Sequence, residues 1–365
     1  MTDPAWFRSQ FPVFERLAFM NAGSEGPMPR RAAEAAQERI GTECERGRGG
    51  KAYFEEVREL AGTMRSRCAE LFGCEVDEVA LTGSTTDGVN AVVAGFDLRP
   101  GDEILTTDEE HPGVLAPLAS ARRRRGVTIR VVPWEELAGA VSPTTRLIAC
   151  SHVSWVSGRI ADTEALAATG VPFVLDGAQA LGAIPVDVRE LKCDFYAAPG
   201  QKWLCGPSGS GSLFVRRDRI EELEIAWPGF GAVADHEHPL DSGPAEGAAR
   251  FDIGFPTGVR SSWVLASLDL LAEAGWNWVH RRGPELAARL AGTLAERGVT
   301  VLDRGPTTLV SWRAEDPVAE VERLLGDGVV VRSIPGFGLV RASVGAWSSE
   351  DEVERLAALV QRPAA

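Results

Sequence analysis

The sequence contains very little lysine. Only Lys51, Lys192 and Lys202 occur among its 365 residues, whereas arginine supplies nearly all of the positive charge. Acidic residues outnumber basic ones by 52 to 38, which gives a formal net charge of −14. Nucleic-acid binding requires clustered basic side chains, and the single run of four arginines, at 122–125, is more typical of a helix end that complements the helix dipole. We therefore expect no nucleic-acid partner.

The sequence also lacks long hydrophobic runs and paired cysteine motifs. No segment has the ~20 uninterrupted apolar residues of a membrane-spanning helix, and "MTDPAWFRSQFPVF" lacks the basic and apolar blocks of a secretion signal. The cysteines show no CxxC spacing, which predicts neither a zinc site nor a disulfide framework. We expect a cytoplasmic protein with no metal site and no membrane partner. The six cysteines are Cys44, Cys68, Cys74, Cys150, Cys193 and Cys205.

Short β-like runs alternate with helical stretches through the first two-thirds of the chain. This alternation predicts a mostly parallel sheet covered by helices on both faces. After the polar loop "HPLDSGPAEGAAR" the pattern changes to long helices and a few strands, which we interpret as a small α+β unit. Because the chain exceeds the ~250–300 residues of a single core, we expect two domains. We assign 15–255 to a large domain, 256–365 to a small one, and 1–14 to a segment that packs on the small domain.

Ligands of parallel α/β sheets bind at the carboxyl ends of the strands, so we inspected the residues that follow each β-like run. "TGSTTDGVNAVV" places Thr85 and Thr86 at a helix N-terminus, where a phosphate can bind. On this motif alone, ordinary capping by serine or threonine is the better interpretation. His111 follows "DEILTT", and a lone histidine is more often a packed or capping residue than a catalyst.

Two charged residues follow later strands. Asp176 ends the apolar run of "VLDGAQ" with no lysine or arginine nearby in sequence, so it caps the next helix or pairs with a cationic ligand such as a protonated pyridine. Lys202 in "PGQKWLCGP" is followed by apolar residues, which disfavours an exposed salt bridge. Burial lowers the pKa of a lysine and makes it a nucleophilic amine.

Together, these four features match the requirements of one ligand. A phosphate site, a histidine for ring stacking, a carboxylate for a pyridinium and a lysine for an aldehyde are what pyridoxal 5'-phosphate (PLP) needs. The order and spacing of the four along the chain carry this prediction, since no single one is decisive.

The sequence resembles the class V aminotransferase family of fold-type I PLP enzymes over essentially its whole length. The most specific segments are "LDGAQALG" and "KWLCGPSGSGSLFVR". Within this cysteine desulfurase-like group, "MNAGSEGPMP" and "KWLCGP" are most similar to the L-cystine C–S lyase and isopenicillin N epimerase branch. The resemblance implies an α/β fold, with a mostly parallel seven-stranded sheet in a large domain and a smaller C-terminal α+β domain.

The resemblance also implies roles for individual residues around the cofactor. Lys202 would form the Schiff base and move the proton, Asp176 would pair with the pyridine nitrogen, and His111 would stack on the ring. Gln179 would bond the phenolic oxygen. The remaining cofactor ligands of the protomer would be Thr85, Thr86 and Gln201.

On the substrate side, the resemblance implies that Arg341 in "LVRASV" binds the carboxylate through a bidentate pair, with Asn21 and Ala22 alongside. The family forms homodimers whose sites borrow a phosphate ligand from the partner. Thr257 in "FDIGFPTGVR" is the expected donor, although Phe255 stands where a threonine is common.

Three departures from the family pattern bear on the reaction. Pro199 and Gln201 stand where a serine or threonine and a histidine often precede the lysine. "SHVSWVSG" lacks the usual asparagine and has Trp155 nearby. The stretch "VRSIPGFGLVRAS" contains no cysteine, whereas desulfurases that pass on sulfur as a protein persulfide carry one there.

We therefore expect a PLP-dependent C–S lyase acting on cysteine, cystine or a cysteine S-conjugate. It would break the Cβ–S bond by β-elimination to pyruvate, ammonia and a thiol or persulfide, without an enzyme persulfide. The alternative is an aminotransferase or an epimerase like isopenicillin N epimerase, which shares every step up to proton removal. A non-catalytic PLP-binding protein is disfavoured because the lysine, the aspartate and the candidate carboxylate-binding arginine are all present.

Overall fold

The computed structural model describes residues 2–254 and 257–361. Within these residues the chain forms eleven α-helices and twelve β-strands. The helices are α1 (Pro4–Ser9), α2 (Arg30–Arg46), α3 (Gly50–Phe72), α4 (Thr85–Gly95), α5 (Pro112–Arg125), α6 (Thr163–Ala168), α7 (Val188–Leu191), α8 (Gly258–Ala274), α9 (Trp276–Glu296), α10 (Pro317–Gly326) and α11 (Glu350–Leu359). The strands are β1 (Ala18–Phe19), β2 (Val79–Thr82), β3 (Glu103–Thr107), β4 (Thr128–Val132), β5 (Thr145–Ser151), β6 (Phe173–Asp176), β7 (Phe195–Pro199), β8 (Gly211–Val215), β9 (Leu309–Arg313), β10 (Val329–Val330), β11 (Arg332–Ile334) and β12 (Leu339–Ser343).

The large sheet has seven strands in the order β2-β8-β7-β6-β5-β3-β4. The pairs from β7 across to β4 are parallel, whereas β8 is antiparallel to both of its neighbours. The predicted mostly parallel, seven-stranded sheet is confirmed. The carboxyl ends of β3, β5, β6 and β7 consequently lie along one edge, with Ser151 of β5 beside Asp176 of β6.

Helices cover both faces of this sheet because its strands carry apolar side chains on both faces. In β6, Phe173 and Leu175 pack in one hydrophobic cluster with residues of α3 and α8. Val174 lies between them in sequence and packs in a second cluster with residues of α4 and α5. Such continuous apolar strands are typical of a parallel sheet buried on both faces. The helix α5 ends at Arg125 before Gly126, which has a left-handed conformation with φ 70°, and the predicted helix end at the four arginines is confirmed.

A second, antiparallel sheet of order β11-β12-β9 lies near the C-terminus. It packs against α9 and α11 in a separate apolar cluster that includes Leu290, Trp312 and Leu356. The helix α10 also contributes to this cluster, through Leu324. The short strand β1 pairs in parallel with β10.

The N-terminal segment packs against the C-terminal third of the chain. The ring centroid of Phe11 lies 5.3 Å from that of Trp347, and that of Phe7 lies 5.2 Å from that of Trp278. Arg8 pairs with the Glu352 carboxylate at 2.7 Å. The division into domains remains a prediction, and its boundary at 255 and 256, like residues 362–365, lies outside the described residues.

Of the described helices, none has the length and apolar character needed to cross a membrane.

Candidate active site

Three residues singled out in the sequence lie at the same edge of the large sheet. Asp176 ends β6, His111 follows β3, and Lys202 follows β7. His111 is the N-cap residue of α5, where its Nδ1 accepts a hydrogen bond from the Gly113 amide at 3.0 Å. Its ring meets Trp155 edge-on, with 4.9 Å between centroids and an interplanar angle of 87°. The capping interpretation of His111 is therefore correct, and the ring also lies within the site.

Asp176 is 5% exposed, and its Oδ1 accepts a hydrogen bond from the Ala178 amide at 2.7 Å. Burial raises the pKa of this carboxyl group, while the positive charge of Lys202 and the Ala178 N–H act in the opposite direction. A cationic ligand at Oδ2 would complete the stabilisation of the ionised form. The expectation that Asp176 caps the next helix is wrong, because the Ala178 contact closes a turn and α7 begins only at Val188. The turn contact and a ligand contact use different oxygens and do not exclude each other.

Lys202 is partly buried, and this burial lowers the pKa of its ammonium group to about 8. Asp176 opposes this shift, whereas the positive charges of Arg341 and Arg332 add to it. Burial, followed by the charges of Lys202, Arg332 and Arg341, lowers the pKa of His111 to about 4. The imidazole is therefore neutral near pH 7, and the amine has a substantial neutral fraction. The five side chains are therefore close enough to influence one another electrostatically.

Arg341 lies on β12 and is completely buried. Its Nη1 donates to the Trp155 carbonyl at 2.7 Å, while Nε and Nη2 find no hydrogen-bond partner among the described residues. Burial, and then the charge of Arg332, lowers the pKa of the guanidinium group to about 9. Because a buried charge without a partner is costly, these free donors fit a ligand carboxylate.

Gly23 faces the free donors of Arg341 with no side chain in between. A Cβ at Gly23 would lie 2.6 Å from Arg341 Nη2, 2.6 Å from Ser343 Oγ and 2.9 Å from Gln179 Oε1. The Ser343 hydroxyl is buried and has no partner within the described part of the chain. Arginine, serine and glycine thus form a polar cradle that any larger residue at position 23 would fill. We name Gly23, Arg341 and Ser343 the carboxylate cradle.

The N-terminus of α4 offers a separate set of polar groups. Ser84 caps the helix by accepting a hydrogen bond from the Asp87 amide at 3.1 Å, so the capping interpretation is correct for this residue. Thr85 Oγ1, in contrast, is buried without a partner in the described structure, as is Gln201 Oε1. Thr86 Oγ1 lies 2.6 Å from the position of a Cβ at Gly113, which brings the N-termini of α4 and α5 together. The hydroxyl groups of Thr85 and Thr86 and the amide nitrogen of Gln201 are donors that fit a phosphate, whereas Gln201 Oε1 can only accept a hydrogen bond.

The remaining predicted site residues differ in their contacts with the site. The Gln179 amide is committed to protein groups, since Nε2 donates to the Gly23 carbonyl at 2.8 Å and Oε1 accepts from Trp203 Nε1 at 3.3 Å. Asn21 forms a β-bridge with Ser343, and Ala22 is completely buried next to it in sequence. Thr257 is the exposed N-cap residue of α8. Within one protomer, no contact among the described residues joins it to the other predicted site residues.

The sequence analysis missed Arg332 and Ser343. Arg332 on β11 stands directly opposite Arg341 on β12, with its guanidinium 5.7 Å from the Trp155 ring centroid. Its Nη1 donates to Ser24 Oγ at 3.1 Å. No local pattern marks either residue. The register of the hairpin brings the two arginines together, and Ser343 lies two residues after Arg341 on the same face of β12.

Glu110 was also missed. It is 3% exposed and accepts hydrogen bonds from the Thr107 hydroxyl at 2.7 Å, the Ser151 amide at 3.0 Å and the Ser151 hydroxyl at 2.7 Å. Burial raises its pKa to about 7, although these donors favour the ionised form. Glu110 therefore ties the ends of β3 and β5 together beside Asp176.

Comparison with known proteins now assigns the chain to a family. A family model described as aminotransferase class-V matches residues 20–356. The chain belongs to the class-V aminotransferase family. One class-V relative is isopenicillin N epimerase of Streptomyces clavuligerus, 31% identical over 93% of this chain and 92% of the relative. A probable cysteine desulfurase of Methanothermobacter thermautotrophicus is 27% identical over 96% of this chain and 95% of the relative.

Solved structures agree with the class-V assignment. The cystine C–S lyase C-DES, in complex with its reaction product cysteine persulfide, matches with a TM-score of 0.92 and 28% identity over 97% of this chain and 100% of that chain. A C-DES mutant with glycine covalently linked to the PLP cofactor matches with a TM-score of 0.91 and 28% identity over 96% of this chain and 98% of that chain. This class-V chain is a fold-type I PLP-dependent enzyme of the cysteine desulfurase-like and C–S lyase-like group, and its cofactor is PLP.

Proposed function

We propose that this enzyme is a C–S lyase that cleaves the Cβ–S bond of a cysteine-type substrate, with cystine as the best-fitting candidate. One observation carries the proposal: the hairpin of β11 and β12 presents Arg332 and Arg341 side by side and contains no thiol. A cystine molecule carries two carboxylates, which matches two arginines. The similarity to the cystine C–S lyase C-DES supports the same assignment.

Each of the two arginines would bind one carboxylate of such a substrate. The carboxylate cradle would hold the carboxylate next to the reacting Cα through the free Nε and Nη2 of Arg341. Arg332 would bind the second carboxylate, beyond the sulfur atoms. Trp155 and Phe337, with ring centroids 6.2 Å apart, would form the apolar wall beside the disulfide.

The protein groups around the cofactor would move and hold protons. When bound, PLP supplies an electron-accepting ring that stabilises negative charge at the substrate Cα. Lys202 Nζ, with its lowered pKa, would accept the Cα proton. Asp176 would hold the proton on the ring nitrogen, and Thr85 and Gln201 would bind the phosphate.

The sulfur would leave without passing through a protein thiol. Breakage of the Cβ–S bond transfers its electron pair to sulfur, which takes a proton from Lys202 and departs as a thiol or, from a disulfide, as a persulfide. Water then converts the remaining carbon fragment to pyruvate and ammonia.

Substrate turnover tests the function directly. We expect the PLP-loaded enzyme to release pyruvate and persulfide from cystine in equal amounts, measured by coupled dehydrogenase assay and by mass spectrometry after alkylation. Cysteine S-conjugates should release pyruvate and thiol more slowly. Exchange of the Cα proton without loss of sulfur would favour an epimerase, and formation of a sulfur-containing keto acid would favour an aminotransferase; either result would overturn the proposal.

Arg332→Ala separates the role of the second arginine from that of the first. Because a hydrogen-bonded ion pair is worth roughly 1.5–3 kcal/mol, kcat/KM for cystine should fall by about 10- to 100-fold. A cysteine whose S-alkyl group carries no second carboxylate should be processed within about threefold of the wild-type rate. Arg332→Lys should recover part of the loss for cystine. An equal loss for both substrates would show that Arg332 does not read the second carboxylate.

Substitution of the cysteines tests the absence of a persulfide relay. Cys205 is buried, burial raises the pKa of its thiol, and the Cys68 thiol has a pKa raised to about 11 for the same reason. Cys44 is exposed and lies on α2, which packs against α8. Single replacement of each of the six cysteines with alanine should leave pyruvate formation within about threefold of wild type. Loss of activity in a well-folded variant, with a persulfide trapped on that residue in the wild type, would contradict this expectation.

A further inference from the structure

The turn that follows Lys202 has an unusual backbone. Cys205 adopts a left-handed conformation with φ 56°, and among the described residues only one other non-glycine residue, Lys192, has a positive φ. Lys192 ends α7, where this conformation is common. Cys205 ends no helix, and a side chain disfavours this conformation, so neighbouring structure must hold it in place.

Hydrogen bonds close the turn on itself. The Cys205 amide donates to the Lys202 carbonyl at 3.2 Å, and the Gly206 amide donates to the Gly200 carbonyl at 2.9 Å. The carbonyl of Cys205 therefore points away from the turn, and its position is coupled to that of Lys202.

Two side chains of α8 bind that carbonyl. Trp263 Nε1 donates to the Cys205 oxygen at 3.0 Å, and Ser267 Oγ donates to the same oxygen at 2.9 Å. The two residues lie one helical turn apart on one face of α8, and Ser267 is completely buried. Both lone pairs of a single carbonyl are thus satisfied by side chains of a rigid helix.

The segment just before α2, which contains Gly26, contacts the other end of the turn. The Gly26 amide donates to the Gln201 carbonyl at 2.7 Å. A Cβ at Gly26 would lie 1.9 Å from the Lys202 carbonyl oxygen, so the two backbones touch directly. The peptide units on both sides of Lys202 therefore contact Gly26. The helix α8 holds the Cys205–Gly206 peptide unit instead, and it reaches Lys202 through the hydrogen bond from the Cys205 amide to the Lys202 carbonyl.

The Cys205 thiol makes no comparable contact. Its Sγ lies 4.0 Å from the Trp203 carbonyl, and burial raises its pKa. The contribution of Cys205 to the site is thus its main-chain oxygen and not its sulfur.

We propose that Trp263 and Ser267 are positioning residues for Lys202 and act through the Cys205 carbonyl. The inference rests on the proposed role of Lys202 as the cofactor lysine. It does not depend on which substrate the enzyme cleaves. A lysine that forms a covalent bond and then moves a proton must return to the same place, and a small displacement of such a group slows the reaction strongly.

Removal of the two donors tests the proposal. In PLP-loaded Trp263→Phe/Ser267→Ala, we expect kcat to fall by about 10- to 100-fold while KM stays within about threefold, because substrate contacts are unchanged. The visible absorption band of the bound cofactor should shift or weaken before any substrate is added. Each single variant should show a smaller change, and Ser267→Thr, which keeps the hydroxyl, should recover the wild-type spectrum.

Ser261→Ala is the matched control. Ser261 lies on the same helix, is 1% exposed, and its hydroxyl has no hydrogen-bond partner in the described structure. Its removal should leave kcat, spectrum and melting temperature close to wild type. If the Ser267 and Trp263 variants lower the melting temperature but keep the wild-type spectrum and kcat, their role is structural and the proposal is wrong.

Failure of the underlying assignment would be recognised separately. Borohydride reduction of the wild-type enzyme and peptide mapping identify the cofactor lysine without any of these variants. Labelling of a lysine other than Lys202 would overturn the role of Lys202 itself, whereas labelling of Lys202 with unchanged variants would overturn only the role of α8.

Discussion

Lys202→Ala is expected to eliminate the covalent link to the cofactor and to reduce turnover by roughly four orders of magnitude or more, as the loss of a nucleophile or base does in other enzymes. The visible absorption of the bound cofactor should change to that of the free aldehyde. Burial makes the charged form of Lys202 unfavourable, so its removal should leave the melting temperature near that of wild type.

The other lysines provide controls within the same chain. The Lys51 side chain is 88% exposed and lies 3.6 Å from the Glu55 carboxylate, and Lys192 is the C-cap residue of α7. Both side chains are exposed. Lys51→Ala and Lys192→Ala should keep the spectrum and the activity of wild type, and borohydride should label Lys202 alone. Labelling of either control lysine would overturn the assignment.

The sequence predicted the part of the site that depends on sheet edges. Asp176, His111 and Lys202 each follow a strand, and the carboxyl ends of parallel strands meet at one edge whatever the details of packing. Their convergence therefore required only a correct identification of the strands. The observed order of the seven strands places Ser151 and Asp176 side by side, as this reasoning requires.

The part of the site that depends on register was not predictable in the same way. Arg332 and Arg341 meet because β11 and β12 pair in one particular register, and a shift of one residue would turn the side chains to opposite faces. Glycine is needed at positions 23 and 26 because a Cβ at either position would lie less than 3 Å from neighbouring main-chain or side-chain atoms. Contacts of this kind join residues distant in sequence, so local patterns carry no signal for them.

Backbone contacts also changed the interpretation of residues that were identified. The apolar residues around Cys205 in "KWLCGP" predict a buried thiol. They do not predict its left-handed φ or the two donors to its carbonyl, which depend on the packing of α8. Similarly, the Gln179 amide contacts Gly23 and Trp203, so it links the loop after β6 to the segment before α2 and to the turn after β7.

Asp176→Asn should retain bound cofactor but reduce kcat by about 100- to 1000-fold, the range observed when a preorganised electrostatic contact is removed. Burial favours the neutral form of Asp176, so the carboxylate is ionised only if a cation offsets that cost. A protonated ring nitrogen is such a cation, and an amide at position 176 cannot hold its proton. The asparagine oxygen can still accept the Ala178 hydrogen bond, so the turn after β6 is preserved in the variant.

This substitution therefore distinguishes the two interpretations of Asp176. Asp162→Asn is the control, because Asp162 is the N-cap residue of α6 and its Oδ1 accepts from the Ala165 amide at 2.9 Å. If the hydrogen bond from a main-chain amide were the only role of Asp176, both variants would behave alike, with near-normal kcat and similar small changes in melting temperature. If Asp176 holds the ring proton, only the variant at position 176 loses turnover, while absorbance at the cofactor band shows full occupancy and the melting temperatures of the two variants remain comparable.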